Sequence, residues 1–182
     1  MVQIDPFEVE QWMDRYETTP GILNIAETCA ASLSIDDLEA LCEDKNALSP
    51  LPRSLKMTYG HIRGSPAFRE NVAALLNSGT PLTTSSPKPP TLEAENILIT
   101  QGAISANFLL FYTLLGPGDH VICVYPTYQQ LYSVPQSLGA EVSFWKLKAE
   151  DGFIPNVAEL ERLVKSNTKV TASRLCSTPS SN

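Results

Sequence analysis

Apolar residues recur at helical spacing at the start of the chain, where Val9, Trp12, Met13 and Tyr16 share one face. Asp5 ahead of them suits a helix cap, Pro6 suits the first turn, and Glu8 suits the positive end of the helix dipole. Thr19-Pro20-Gly21 ends this helix, and Ile22 to Ala26 reads as a short extended segment. Ser34-Ile35-Asp36-Asp37 opens a second helix with Leu38, Leu41 and Cys42 on one face. Residues 45–58 show no period and contain Pro50 and Pro52. Ser65-Pro66 starts a third helix that gathers Phe68, Val72, Leu75 and Leu76 and stops near Gly79. Residues 80–90, rich in Pro, Ser and Thr, read as a surface loop.

The pattern changes after Asn96. Ile97-Leu98-Ile99-Thr100 predicts a short apolar strand, and an apolar helix is expected from about Ile104 to Leu115. Gly116-Pro117-Gly118-Asp119 is a tight turn before a buried strand from His120 to Tyr125. A helix is expected from Tyr128 to about Leu138, then a strand from Glu141 to Leu147 after Gly139. Asn156 opens a helix through Val164, and Lys169-Val170 begins a further strand. Apolar strands alternating with helices predict an α/β domain with a mainly parallel sheet. No internal repeat is present.

Composition narrows the function. A chain of 182 residues with 43% hydrophobic and 18% charged positions can bury a core. Its net charge of −7, with no basic run, excludes a nucleic-acid surface. No apolar stretch reaches the length of a membrane span, and the N terminus carries neither a signal peptide nor a basic presequence. Cys29, Cys42, Cys123 and Cys176 form no C-x-x-C pair, and His61 and His120 lack partners at ligand spacing. Free thiols, no metal site and a soluble cytoplasmic protein are the expectation.

The candidate chemistry centres on Thr100-Gln101-Gly102-Ala103, where a strand gives way to a helix through a glycine. Open N–H groups and the helix dipole would suit a phosphate there, although a plain turn has the same local sequence. Three further segments accompany it: Tyr59-Gly60-His61-Ile62-Arg63-Gly64-Ser65-Pro66-Ala67-Phe68-Arg69, Pro117-Gly118-Asp119-His120-Val121, and Pro126-Thr127-Tyr128. Taken alone, Tyr128 could be a core aromatic, Tyr59 a packed loop residue, and Asp119 a turn residue bonding local backbone. No P-loop or dinucleotide glycine fingerprint is present, which disfavours a nucleotide-binding domain.

In this order the four segments resemble the class I/II aminotransferases, the fold type I pyridoxal-phosphate enzymes, over about residues 22–169. The family pattern has Leu where this chain has Phe68. The resemblance implies an incomplete three-layer α/β/α large domain with an N-terminal helical arm. Residues 1–45 would form the arm and part of the small domain, residues 46–170 a partial cofactor-binding domain, and residues 171–182 a tail not native to the fold. It implies pyridoxal 5'-phosphate as cofactor, with Gly102, Ala103 and Ile104 on its phosphate and Tyr128 stacked on the pyridine ring. Tyr59 would reach the neighbouring subunit's phosphate across a homodimer interface. Ile25 to Thr28 resembles the segment near the substrate carboxylate.

The implied reaction moves an amino group between an amino acid and a 2-oxo acid. It needs a Schiff-base lysine, an acid facing the pyridine nitrogen and an arginine for the substrate carboxylate. In the family these groups follow the strand that begins near Lys169. None of Lys45, Lys56, Lys88, Lys146, Lys148, Lys165 and Lys169 stands in the Schiff-base context. The expectation is therefore a truncated chain, inactive alone, with no catalytic residue assigned. The alternative is a non-catalytic fragment that pairs with an intact aminotransferase subunit.

Overall fold

A computed structural model describes residues 4–26, 29–44, 54, 56, 58–78 and 90–172. The chain divides into two compact units, residues 1–15 with 100–182, and residues 16–99. This grouping by contact is separate from the family domains expected at 1–45, 46–170 and 171–182.

The larger unit is built on a parallel sheet in the order β2-β1-β3. Its strands are β1 (His120–Tyr125), β2 (Glu141–Lys146) and β3 (Thr168–Ala172). Val121 pairs with Val142 on one side and Val170 on the other. Strand β1 is buried on both faces, as a central parallel strand must be. Its odd residues, Val121 and Cys123, pack with Phe111, Leu115, Leu131 and Val134 from α4 (Gly102–Leu114), the residue after it, and α5 (Gln130–Ser137). Its even residues, Ile122 and Val124, pack with Trp145 and reach Leu160 and Leu163 of α6 (Val157–Leu163). Period-two alternation thus feeds two helical layers from one strand, and each large side chain buried this way stabilises the fold by about 1.5–3 kcal/mol. Tyr125, Tyr132 and Phe144 form an edge-to-face cluster with centroids 5.1–6.5 Å apart, extending the first layer.

Helix α6 starts as its sequence predicts. Asn156 accepts from the N–H groups of Ala158 at 3.0 Å and Glu159 at 3.3 Å. Its carbonyl also accepts from the Trp145 indole N–H at 3.0 Å, which ties the cap to β2. Helix α1 (Glu8–Tyr16) begins later than the Asp5-Pro6 signal suggests. Gln129 accounts for the shift: its Oε1 accepts from Glu8 N–H at 3.0 Å and its Nε2 donates to Pro6 O at 3.1 Å. A tertiary partner takes the role expected of Asp5.

The second unit holds α2 (Ile35–Leu41), α3 (Pro66–Asn77) and a 3-10 turn at Ala94–Asn96. Ser34 and Asp37 form a reciprocal capping box on α2. Ser65 caps α3 by accepting from Phe68 N–H. Asn77 mimics a backbone strand, donating to Leu92 O at 2.8 Å and accepting from Leu92 N–H at 2.9 Å. Arg63 and Arg69 both engage the Glu95 carboxylate, at 2.6 and 3.3 Å, and hold it below the usual carboxylate range.

One expected element does not form. Residues 97–100 are in no strand, because a strand exists only as part of a ladder and the described strands pair with one another. Ile99 N–H instead donates to Arg63 O at 3.1 Å. The expected segment Ile22 to Ala26 is likewise outside any sheet, and Glu27, Thr28 and the tail 173–182 lie outside the described residues.

Candidate functional site

The carboxyl end of β1 points the chain toward the candidate site. In an open parallel sheet, ligands bind beyond the carboxyl ends of strands where connections part to opposite faces. Strand β1 is that central strand here: α5 carries the chain to β2 on one face, and α6 carries it to β3 on the other. Tyr125, a cis-linked Pro126, Thr127 and Tyr128 follow directly.

Helix α4 supplies the second component. Gly102 has φ +74, a left-handed conformation that side chains other than glycine adopt at a cost. Gln101 makes no side-chain cap, and the first turn of α4 carries no acidic residue. The N–H groups of a helix's first turn have no partner within the helix. Gly102, Ala103 and Ile104 are exposed, and their turn carries no competing carboxylate. Such a turn fits a phosphate.

Gln130, which sequence reasoning passed over, joins the two components. It is buried at 2% exposure. Its Nε2 donates to Ile104 O at 2.7 Å, and its Oε1 accepts from Asn107 Nδ2 at 3.1 Å. The first turns of α4 are thereby bonded to a residue two places after Tyr128. Only burial distinguishes Gln130 from an ordinary helix-start glutamine, and burial is not visible in a Gln-Gln pair.

Tyr128 is half-buried. Its ring meets Phe7 edge to face, with centroids 5.8 Å apart and planes at 89°. Its hydroxyl donates to Glu10 Oε1 at 2.8 Å. Burial, then the bond to the Glu10 carboxylate and its charge, pushes the phenol above its ordinary pKa. The group stays protonated at neutral pH.

The remaining candidates separate. Tyr59 belongs to the other unit and is fully exposed. Asp119 is a turn residue whose Oδ2 accepts from Gly116 N–H at 2.9 Å. His120 is fully buried, with Nδ1 2.7 Å from Thr168 Oγ1 and Nε2 2.9 Å from Ser143 Oγ. It cross-braces all three strands and is held below the usual histidine range, chiefly by burial and then by Lys165. Cys123 is a buried thiol pushed up to about 11 by burial. Among the described residues, no cluster of ligating side chains could hold a metal, and no helix is long and apolar enough to cross a membrane.

The layered sheet, the glycine-started α4 and the Pro126-Thr127-Tyr128 segment define part of a fold type I pyridoxal-phosphate enzyme, and solved structures agree. A PLP-dependent aminotransferase from Streptococcus suis superposes with a TM-score of 0.73 at 37% identity, covering 93% of this chain and 42% of that one. Aspartate aminotransferase from Thermus thermophilus, solved with maleate, gives 0.56 at 26% identity over 63% of this chain and 28% of its own. Residues 51–180 match the family Aminotransferase class I and II, and the chain belongs to that family. An aspartate aminotransferase of Sulfurisphaera tokodaii is 32% identical over 114 residues, 62% of this chain and 26% of that protein. An arginine–pyruvate transaminase of Pseudomonas aeruginosa is 28% identical over 116 residues, 63% of this chain and 27% of its own. The chain thus spans about a quarter of the curated relatives it matches.

Proposed function

We propose that these residues form the phosphate side of a pyridoxal 5'-phosphate site. Backbone N–H groups of Gly102, Ala103 and Ile104 hold the phosphate, and Tyr128 lies on the pyridine ring. The observation that carries this reading is the uncapped first turn of α4 on a positive-φ glycine, bonded through Gln130 to the Tyr128 segment in a chain of this family. When bound, the cofactor supplies the electron sink for exchange of an amino group between an amino acid and a 2-oxo acid. The chain's own part is to bind and orient. The α4 dipole favours the dianion, and the neutral Tyr128 ring offers a flat face.

The protein to which these residues belong acts, in this reading, as a cytoplasmic homodimer in which Tyr59 serves the partner's cofactor. The full exposure of Tyr59 supports a role outside its own unit. No lysine of the 182 residues is assigned as the covalent anchor, and turnover is not proposed for them alone.

Equilibrium dialysis of the chain with pyridoxal phosphate, pyridoxal and inorganic phosphate tests the site. Saturable binding of pyridoxal phosphate, at least about tenfold tighter than pyridoxal, is expected, since charge-assisted bonds to a phosphate contribute more than about 1.4 kcal/mol. Equal affinity for the two, or none for either, sinks the reading. Borohydride reduction and peptide mapping should label no lysine uniquely, and one specifically labelled lysine overturns that assignment.

A further inference from the structure

Helix α1 makes a set of bonds that the proposed cofactor site does not by itself call for. It lies more than a hundred residues away in sequence, yet four residues around its start and first turn, Pro6, Phe7, Glu8 and Glu10, address Tyr128 and Gln129. Phe7 packs edge to face on the Tyr128 ring. Glu10 Oε1 accepts from the Tyr128 hydroxyl at 2.8 Å. Glu8 N–H and Pro6 O are bonded by the two ends of the Gln129 amide, at 3.0 and 3.1 Å. The Gln129 pairing has a definite sense, since one amide end donates and the other accepts.

The consequence for Tyr128 is geometric. A tyrosine side chain has two soft torsions, and a hydroxyl bond together with a ring contact fixes both. Gln129 fixes the backbone beside it by gripping the chain on either side of Phe7. Helix α1 itself is short, at nine residues, and none of its residues is buried. A helix of that length is marginal in water without tertiary bonds. Its order and the orientation of Tyr128 therefore depend on each other.

We infer that α1 is a positioning element that sets the Tyr128 ring, through Phe7, Glu10 and the Gln129 clamp, so that the ring is oriented before a pyridine ring arrives. The inference rests on the proposed role of Tyr128. It makes α1 part of the site's construction within one chain.

The test uses the whole chain with the substitutions Glu10→Ala, Gln129→Ala and Glu10→Gln. Glu10→Gln keeps an accepting oxygen for the hydroxyl and serves as the conservative control. Pyridoxal and pyridoxal phosphate share the ring, whereas inorganic phosphate lacks it. The Ala variants should each weaken both ring compounds by about fivefold, the effect of one lost hydrogen bond. Inorganic phosphate affinity should not change, and Glu10→Gln should behave as the parent. Hydrogen exchange supplies a readout independent of any ligand: amides of residues 8–16 should exchange faster in Gln129→Ala and in Tyr128→Phe, with β1 protection unchanged.

Parent-like ring affinity and parent-like exchange in the Ala variants overturn the inference while leaving the cofactor site standing. Equal loss for all three ligands, with faster exchange in β1, also overturns it, because the role is then only structural. If the parent chain binds neither ring compound, the proposed function fails first and the inference fails with it.

Discussion

Two glycines with similar backbone angles should respond very differently to alanine. Gly64 has φ +93, and a Cβ there would lie 2.4 Å from Ile99 Cγ1 and 2.6 Å from Ile99 Cβ. Gly102 has φ +74, and a Cβ there would meet nothing nearer than Ile104 Cγ2 at 4.0 Å. Each substitution carries the left-handed penalty, about 1–2 kcal/mol. Only Gly64→Ala adds overpacking, about 1–3 kcal/mol, because the branch point of Ile99 cannot swing away as a flexible tip would. The expected loss is thus about 2–5 kcal/mol for Gly64→Ala and about 1–2 kcal/mol for Gly102→Ala. Peptide-resolved hydrogen exchange separates the effects, since Gly64 belongs to the unit of α3 and Gly102 to that of the sheet. Gly64→Ala should raise exchange across Pro66–Asn77 and spare His120–Tyr125. Equal, small effects from both substitutions would refute the reasoning from Cβ space.

Other outcomes follow from buried polar groups. Gln130→Leu leaves Asn107 Nδ2 and Ile104 O without their partner and should cost about 1–3 kcal/mol, read as a lowered urea midpoint. Burial holds His120 below its ordinary pKa in the folded chain. The unfolded chain therefore binds the extra proton first as pH falls below about 6.5, so stability is full above that value and is lost as pH falls toward the folded pKa. Urea midpoints at pH 7.5 and 5.5 should differ in the parent, with that part of the difference missing in His120→Gln. Cys123, pushed up to about 11, should resist a thiol reagent at pH 8 while the exposed Cys29 and Cys42 react. Peptide mapping reads the three sites separately.

Much of the fold is legible in local pattern, and the exceptions share one cause. Helix caps at Ser34, Ser65 and Asn156 are local and appear where their sequences put them. The alternation in His120 to Tyr125 marks a central strand, since both its faces are apolar. Ile97 to Thr100 has the same apolar look but forms no strand, because pairing depends on residues remote in sequence. The start of α1 moved for a similar reason: Asp5 and Pro6 are good local signals, and Gln129 overrides them from across the unit. At the candidate site, Gly102 and Tyr128 were visible as motif residues. Gln130, Gln129 and Glu10 were not, since a glutamine that bridges two elements has no sequence signature. The pairing of Arg63 and Arg69 with Glu95 has no local signature either, since the partners stand 32 and 26 residues apart.

The central claim is that the first turn of α4 receives a phosphate. Titrating the isotopically labelled chain with pyridoxal phosphate and following backbone amide resonances addresses it directly. Saturable shifts concentrated at Gly102, Ala103 and Ile104, weakened in Gly102→Ala, are the predicted result. Saturable binding that leaves those three amides unmoved would contradict the account.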